Sequence, residues 1–330
     1  MTKIILLWFG LFSIEAAPFS LVSYNVQNLF DNKQTKGHRD YTYLAKNDPL
    51  KKNCKLEKSN YYRRYCKKLD WNEEKIATRI KLLRKVLKSS PQTPSLLGLV
   101  EIETKELALR LGEEFGLKKV VMTSGSDERG IQSALLFNDK VWDLIEKKEW
   151  SFDFATRNLL EVHLRNKEEK KKLIVFVNHW PSQRSPTEKR LVLARKLVER
   201  LEKLKGEAVV AIGDFNTLPR ENPHPFHQEV LLKGGMNEVV FKKGTYFYAP
   251  KMSWNHLDRV FFRGPLATQS SQVIAPEFAT GVYEYTNKKR DFWGSRVVGI
   301  PKKADFLKKK KMGYSDHFPV YVEFDWTSGK

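Results

Sequence analysis

Residues 208–219, Ala-Val-Val-Ala-Ile-Gly-Asp-Phe-Asn-Thr-Leu-Pro, constrain the fold more than any other stretch of this chain. A short apolar run rich in β-branched residues, ended by Gly213 and soon followed by Pro219, reads as a buried strand rather than a helix. Gly213 lets the backbone bend or approach another segment closely. Asp214 and Asn216, two apart in an extended chain, then project together from the sheet edge. A carboxylate and an amide placed there suit a hard cation or a phosphate. Taken alone, the same residues also suit an ordinary Asx turn.

The pattern recurs along the chain. Residues 19–24 read as a strand ending in Ser23-Tyr24-Asn25-Val26, which puts Asn25 at a strand end as Asn216 is. Residues 95–100 run into Glu101-Ile102-Glu103, with Glu101 directly after the apolar residues. Residues 173–177 lead into Asn178-His179-Trp180, followed by Arg184, so His179 has an aromatic ring and a cation nearby. Residues 159–165 read as a further strand, and another begins beyond the loop that carries Arg129, a residue suited to a phosphate. Residues 245–248 and 254–262 read as two late strands, the second holding Asp258 inside an apolar run. An unpaired carboxylate would be costly there, so a partner is required. His317 is the candidate, in Ser315-Asp316-His317 at the opening of the final strand.

Helices separate these strands. Asp70 and Glu73 stand at capping-box spacing before Ile76, Ile80, Leu83 and Leu87, which share one face of a helix that ends before Pro91. A second helix is expected over about 104–115. Ser185-Pro186-Thr187-Glu188 supplies a capping Ser and a Pro at the first helical position. The helix it opens turns Leu191, Ala194, Val198 and Leu201 toward the core. His224 and His227 fall in a Pro-containing loop and read as solvated rather than as a metal pair.

The chain has 330 residues and no internal repeat, room for one large α/β domain over 18–330 as readily as for two ordinary ones. Its 59 Lys and Arg against 39 Asp and Glu give a formal charge of +20, which favours polyanions: nucleic acid, anionic membrane or phosphorylated metabolites. The cations cluster. Residues 31–70 form a basic insertion with little hydrophobic periodicity, in which Tyr41, Tyr43, Tyr61, Tyr62 and Tyr65 interleave with Lys and Arg. That mixture suits a nucleic-acid surface, and equally a solvated surface lobe. Lys288, Lys289, Arg290, Lys302, Lys303 and residues 308–311 form a second basic region with Phe292 and Trp293, read as loop. Residues 1–17 have the layout of a secretory signal peptide, since the apolar run 4–14 is too short to span a bilayer. For an exported chain with two closely spaced cysteines, one Cys54–Cys66 disulfide is expected, contributing about 3 kcal/mol.

With these motifs in order, the chain resembles the endonuclease/exonuclease/phosphatase superfamily of deoxyribonuclease I-like enzymes. The motifs carrying the resemblance are the Ser-Tyr-Asn-Val strand, the Val-Glu end, Asn-His-Trp, Gly-Asp-Phe-Asn and Ser-Asp-His, with Leu257-Asp258-Arg259 between the last two. The resemblance implies a four-layer α/β sandwich, two mixed, mainly antiparallel β-sheets packed face to face with helices outside. It also implies phosphoester cleavage dependent on a divalent metal, Mg²⁺ first, with Mn²⁺ or Ca²⁺ as substitutes. By that resemblance Glu101 is the principal metal ligand, supported by Asp316 and Asn25. Asp214 and Asn216 orient the nucleophilic water and hold the phosphate or a second metal. His317, oriented by Asp258, is the catalytic His, and His179 is a second His that stabilises the transition state or protonates the leaving oxygen.

Arg129, Trp180 and Arg184 are the expected substrate contacts. The charge, the two basic-aromatic regions and the export signal together favour a secreted or periplasmic endonuclease acting on DNA, with RNA as a further substrate. No obligate protein partner is evident. The alternatives are a sphingomyelinase-like phospholipid phosphodiesterase touching membranes transiently through Phe292-Trp293, and a nucleic-acid-binding protein of the same fold without catalysis. An inositol polyphosphate phosphatase fits less well, because Leu257-Asp258-Arg259 lacks the Pro-X-X-Cys-Asp-Arg of those enzymes.

Overall fold

The apolar runs build two six-stranded sheets in the computed structural model, which describes residues 17–125, 127–286, 292–308 and 312–327. The first sheet is ordered β13 (Leu266–Val273), β16 (Val320–Trp326), β1 (Phe19–Leu29), β2 (Leu96–Ile102), β4 (Gln132–Phe137) and β3 (Lys119–Met122). The second is ordered β5 (Trp142–Trp150), β6 (Leu159–Asn166), β7 (Lys172–His179), β8 (Ala208–Asp214), β12 (Asp258–Arg263) and β9 (Asn237–Glu238). β1 runs parallel to β2, and β7 to β8; the remaining neighbours are antiparallel. Each sheet therefore brings two carboxyl-terminal strand ends side by side at its centre.

Period-two alternation divides each strand between two cores. Leu21, Val100, Val175, Val210, Ile212, Val260 and Val322 fill the layer between the sheets. The helices are α1 (Asn60–Lys68), in the inserted lobe, and α2 (Glu73–Leu87), α3 (Lys105–Gly112) and α4 (Thr187–Glu202), which pack on the sheets. Ile76, Ile80 and Leu83 of α2 and Leu107 and Leu111 of α3 cover the outer face of the first sheet. Leu197 and Leu201 of α4, with Phe226 and Val230 of a short π-helix, Phe226–Lys233, cover the second. The result is the expected four-layer sandwich. No helix among the described residues is long and apolar enough to cross a membrane.

The insertion is a small lobe. Tyr43 stacks on Phe30 at 4.0 Å between ring centres, and the Trp71 Nε1 donates to the Phe30 carbonyl at 3.0 Å. Cys54 and Cys66 are disulfide-bonded, with Cα atoms 5.6 Å apart. The buried Lys51 ammonium donates to the carbonyls of Thr42, Cys66 and Leu69, each at 2.9 Å, and so knits three segments together.

Several local expectations are corrected. Asn72, not Asp70, caps α2, its side chain accepting from the Lys75 N–H, while Asp70 accepts from the Lys46 N–H. Pro186 rather than Ser185 is the N-cap of α4, because the buried Arg190 guanidinium collects the carbonyls of Pro181, Ser182 and Ser185. The run 254–262 is two strands. Ser253–Asn255 (β11) pairs with Tyr246–Tyr248 (β10), and β12 starts afresh at Asp258 in the second sheet. The final strand begins only at Val320, beyond Pro319, so Asp316 and His317 sit in the loop before it. Residues 280–301, read as loop, hold a hairpin of β14 (Thr280–Glu284) and β15 (Arg296–Pro301). His227 lies in the π-helix rather than in a loop. The signal segment through Ala16, Lys288, Lys289, Arg290 and residues 309–311 lie outside the described residues.

Candidate active site

The polar strand ends converge on one carboxylate. In the second sheet His179 of β7 and Asp258 of β12 are both in register with Asp214 of β8, and all three share the inward face with Val177, Ile212 and Val260. Gly213, at φ +127°, makes this packing feasible, since a Cβ there would stand 1.9 Å from the Asn178 carbonyl oxygen. From the first sheet, Asn25 Nδ2 donates to Asp214 Oδ2 at 3.1 Å and to Glu101 Oε1 at 3.3 Å, tying the two sheets together at this end.

Glu101 gets there by breaking its strand. It has φ +64°, and the β2–β4 register shifts between Val100 and Ile102. This bulge lets a side chain due to face the helices turn toward Asp214 instead. Glu101 Oε2 also accepts the Asn28 N–H at 3.0 Å. Gln27, Asn28 and Asn216 share the left-handed region with Glu101, so four of the six such non-glycine residues among those described border the site. Strain of this kind persists only where the surroundings hold it.

Two imidazoles flank Asp214. His179 Nε2 and His317 Nε2 each stand 3.9 Å from Asp214 Oδ2, and His179 Nε2 is 3.9 Å from Glu101 Oε1. Their charge states differ. Burial works against a charge on His317, but Asp258, whose Oδ2 is 2.7 Å from Nδ1, together with Asp214 and Asp316, outweighs it and holds the pKa well above the ordinary value. Burial, then the charges of Arg157, Arg129 and His317, hold His179 well below it. His179 is neutral at pH 7, with Nε2 turned toward the Glu101 and Asp214 carboxylates. Burial raises the Asp214 carboxyl to about 7; His317 opposes this, Asp258 and Glu101 add to it, and the Asn216 N–H opposes it.

The half-buried Asp316 is likewise raised by burial, against His317 and with Glu101. Glu101 adds to the raised pKa of both Asp214 and Asp316, and this local excess of carboxylate charge is chemically suited to a hard divalent cation. Among the described residues no group of three or more His, Cys, Asp or Glu side chains is placed to hold a metal ion between them. A cation that keeps most of its waters and needs few protein ligands, as Mg²⁺ does, suits so sparse a carboxylate set. Asn25 is oriented by the backbone. Its Oδ1 accepts the Gln27 backbone N–H at 3.0 Å, so the amide turns its NH₂, not its oxygen, to the carboxylates.

Asn216 is held by its own contacts, its N–H donating to Asp214 Oδ1 at 2.9 Å and its Nδ2 to the Trp180 carbonyl at 3.2 Å. Trp180 is not available to substrate. It is fully buried, packed on Phe215 and Phe226, and its Nε1 donates to Asn178 Oδ1. Arg184 is exposed on the following loop. Arg129 lies at the rim, donating to Asn28 Oδ1 at 3.2 Å and to Asp127 Oδ2 at 3.1 Å. Two residues join the site without having been marked in the sequence. Arg157 donates from Nη2 to the Trp180 carbonyl and lowers the His179 pKa. Tyr246 lies 4.9 Å from the His317 ring, and burial, Asp316 and Asp214 push its hydroxyl up to about 12. Neither follows an apolar run into a strand end, which was the signal that marked the others.

A family model described as Endonuclease/Exonuclease/phosphatase family matches residues 20–326. No curated protein matches the sequence. Among solved structures, a family protein from Bacteroides thetaiotaomicron superposes with a TM-score of 0.58 at 15% identity, covering 95% of this chain and 100% of that one. A mannosyl-6-phosphatase from the same organism gives 0.56 at 15%, covering 93% and 99%. TDP2 from D. rerio, complexed with a single-strand DNA product, gives 0.54 at 17%, covering 93% and 99%.

Proposed function

The chain belongs to the endonuclease/exonuclease/phosphatase family, and on that premise we propose that it is an exported, divalent-metal-dependent DNA endonuclease of low sequence preference. Members of this family are phosphoesterases. The observation that carries the chemistry is Asp214 set between a neutral and a protonated imidazole, each 3.9 Å away. With a pKa of about 7 it is the group able to take a proton from water near neutral pH. His317 already holds its proton, so it stabilises charge rather than removing a proton from water, and Asp258 fixes its ring. His179 presents Nε2–H to a phosphoryl oxygen, with Arg157 behind it. A divalent cation would be held by Glu101 with Asp316, where it would polarise the phosphoester and offset charge that grows as the bond breaks.

Nucleic acid is favoured as substrate by the +20 charge and by the basic lobe that meets the rim of the site through Glu128 and Arg129. A sugar phosphate would not need that excess. One observation favours a second reading, a phospholipid phosphodiester: the β14–β15 hairpin exposes Val282, Val298, Phe292 and Trp293. Its Tyr283 packs on Phe247 of β10, one residue from Tyr246. The test is to replace His179 or Asp214 with Ala and assay DNA cleavage and DNA binding separately. Cleavage is expected to vanish while binding is retained; persistent cleavage in either variant removes the assignment.

A further inference from the structure

We propose that α1 and the lobe around it form a binding surface for single-stranded nucleic acid, extending the catalytic rim on its Arg129 side. The inference deepens the nucleic-acid reading above and rests on it.

The helix is unusual in what it buries. Of the residues of α1 only Cys66 is buried and Tyr65 half-buried, so a nine-residue helix has almost no core to fold against. It is held instead by the Cys54–Cys66 disulfide and by the Lys51 ammonium on the carbonyls of Cys66 and Leu69. What this anchoring displays is a mixture of rings and cations. Tyr61 is 65% and Tyr62 43% exposed, their rings 5.3 Å apart. Arg63, Arg64, Lys67 and Lys68 are exposed beside them, and a cleft of about 360 Å³ opens between Asn60, Arg63, Arg64 and Lys67. Arg63 and Arg64 donate to Glu57 and Asn60 oxygens, of which none is a carboxylate, so among the described residues both guanidiniums are positioned without being neutralised. Residues 45–68 hold nine Lys and Arg against two carboxylates.

The surface continues into the site. Lys58, next to the α1 cap Ser59, and Arg39 both pair with Glu128, at 3.6 and 3.1 Å. The next residue, Arg129, reaches Asn28, whose N–H binds Glu101. A strand leaving the catalytic carboxylates past Arg129 therefore meets cations for its phosphates and open rings for its bases. Rings at this exposure stack only on unpaired bases, because those of a duplex are already stacked. This favours single strands over lipid headgroups, which offer nothing to stack.

The test measures anisotropy of a labelled oligothymidylate of about 20 nucleotides, and of a blunt duplex of the same length, in EDTA so that nothing is cleaved. Tyr61→Ala/Tyr62→Ala is expected to weaken single-strand binding by about ten-fold or more and duplex binding by less than about two-fold. Arg63→Ala/Arg64→Ala should weaken both and flatten the salt dependence by about two counterions. Hydrolysis of bis(p-nitrophenyl) phosphate should be unchanged in both variants. Absence of single-strand binding in the native protein, unchanged single-strand affinity in the tyrosine variant, or equal loss on duplex would overturn the inference. So would a loss confined to phosphatidylglycerol vesicles. Because binding is read without turnover, failure of the catalytic reading and failure of this one give different results.

Discussion

His317 Nδ1 and Asp258 Oδ2 stand 2.7 Å apart across 59 residues of sequence, both side chains buried. The carboxylate in an apolar strand thus has its partner, and the partner's other nitrogen is left facing Asp214. His317→Ala should lower kcat by about 10²–10³, the range for removing a stabiliser of transition-state charge. Asp258→Asn should cost about 10–100-fold, because the ring loses its counter-charge but keeps an acceptor. The double variant should be no slower than His317→Ala alone, since the two act as one unit. Multiplicative losses would show that Asp258 acts elsewhere.

Gly213 should be intolerant of any side chain. The backbone is in the left-handed region, and the added Cβ meets backbone rather than a movable side chain. Gly213→Ala should destabilise the fold by on the order of 3–5 kcal/mol in urea unfolding. Gly206 provides the control: it has φ +79° but open space around it, so Gly206→Ala should cost only about 1–2 kcal/mol. Equal costs would place the effect in backbone conformation alone.

The pH dependence of stability should show Glu161. Burial by itself would raise this carboxyl, but His163 at 2.6 Å, the Arg200 guanidinium and the Trp150 N–H at 2.8 Å outweigh it and hold the pKa at about 2. A folded-state value below the unfolded one contributes stability above about pH 4.5 that is lost as pH falls toward about 2. Allowing for screening by solvent, the contribution is about 2 kcal/mol. The stability gap between the native protein and Glu161→Gln should therefore narrow below pH 4.5 in denaturant titrations. A gap constant with pH would assign the loss to packing.

Binding to duplex DNA should weaken steeply as salt rises, because each neutralised phosphate releases about 0.9 counterion. Affinity that does not change between low and physiological salt would contradict the polyanion reading.

Much of the site was legible because its residues interrupt strong patterns. Asp214, His179 and Glu101 each end an apolar run, and Asp258 sits inside one where it needed a partner. Other features depend on contacts that no local pattern carries. The direction of the Asn25 amide is set by the Gln27 N–H, and Glu101 arrives through a bulge. Trp180 beside His179 reads like a binding ring, yet Phe215 and Phe226 close over it. Arg157 lies in a loop of unremarkable composition and matters only because it packs behind His179. The β14–β15 hairpin was obscured by lysines and by valines that face solvent.

The central claim is metal-dependent hydrolysis at Asp214. The most direct measurement is supercoiled plasmid incubated with the purified protein and Mg²⁺, with and without EDTA, beside Asp214→Asn. Nicked and then linear DNA, absent with EDTA and absent in the variant, is the predicted result. Intact plasmid with Mg²⁺, Mn²⁺ and Ca²⁺ alike, or cleavage that survives EDTA, would contradict it.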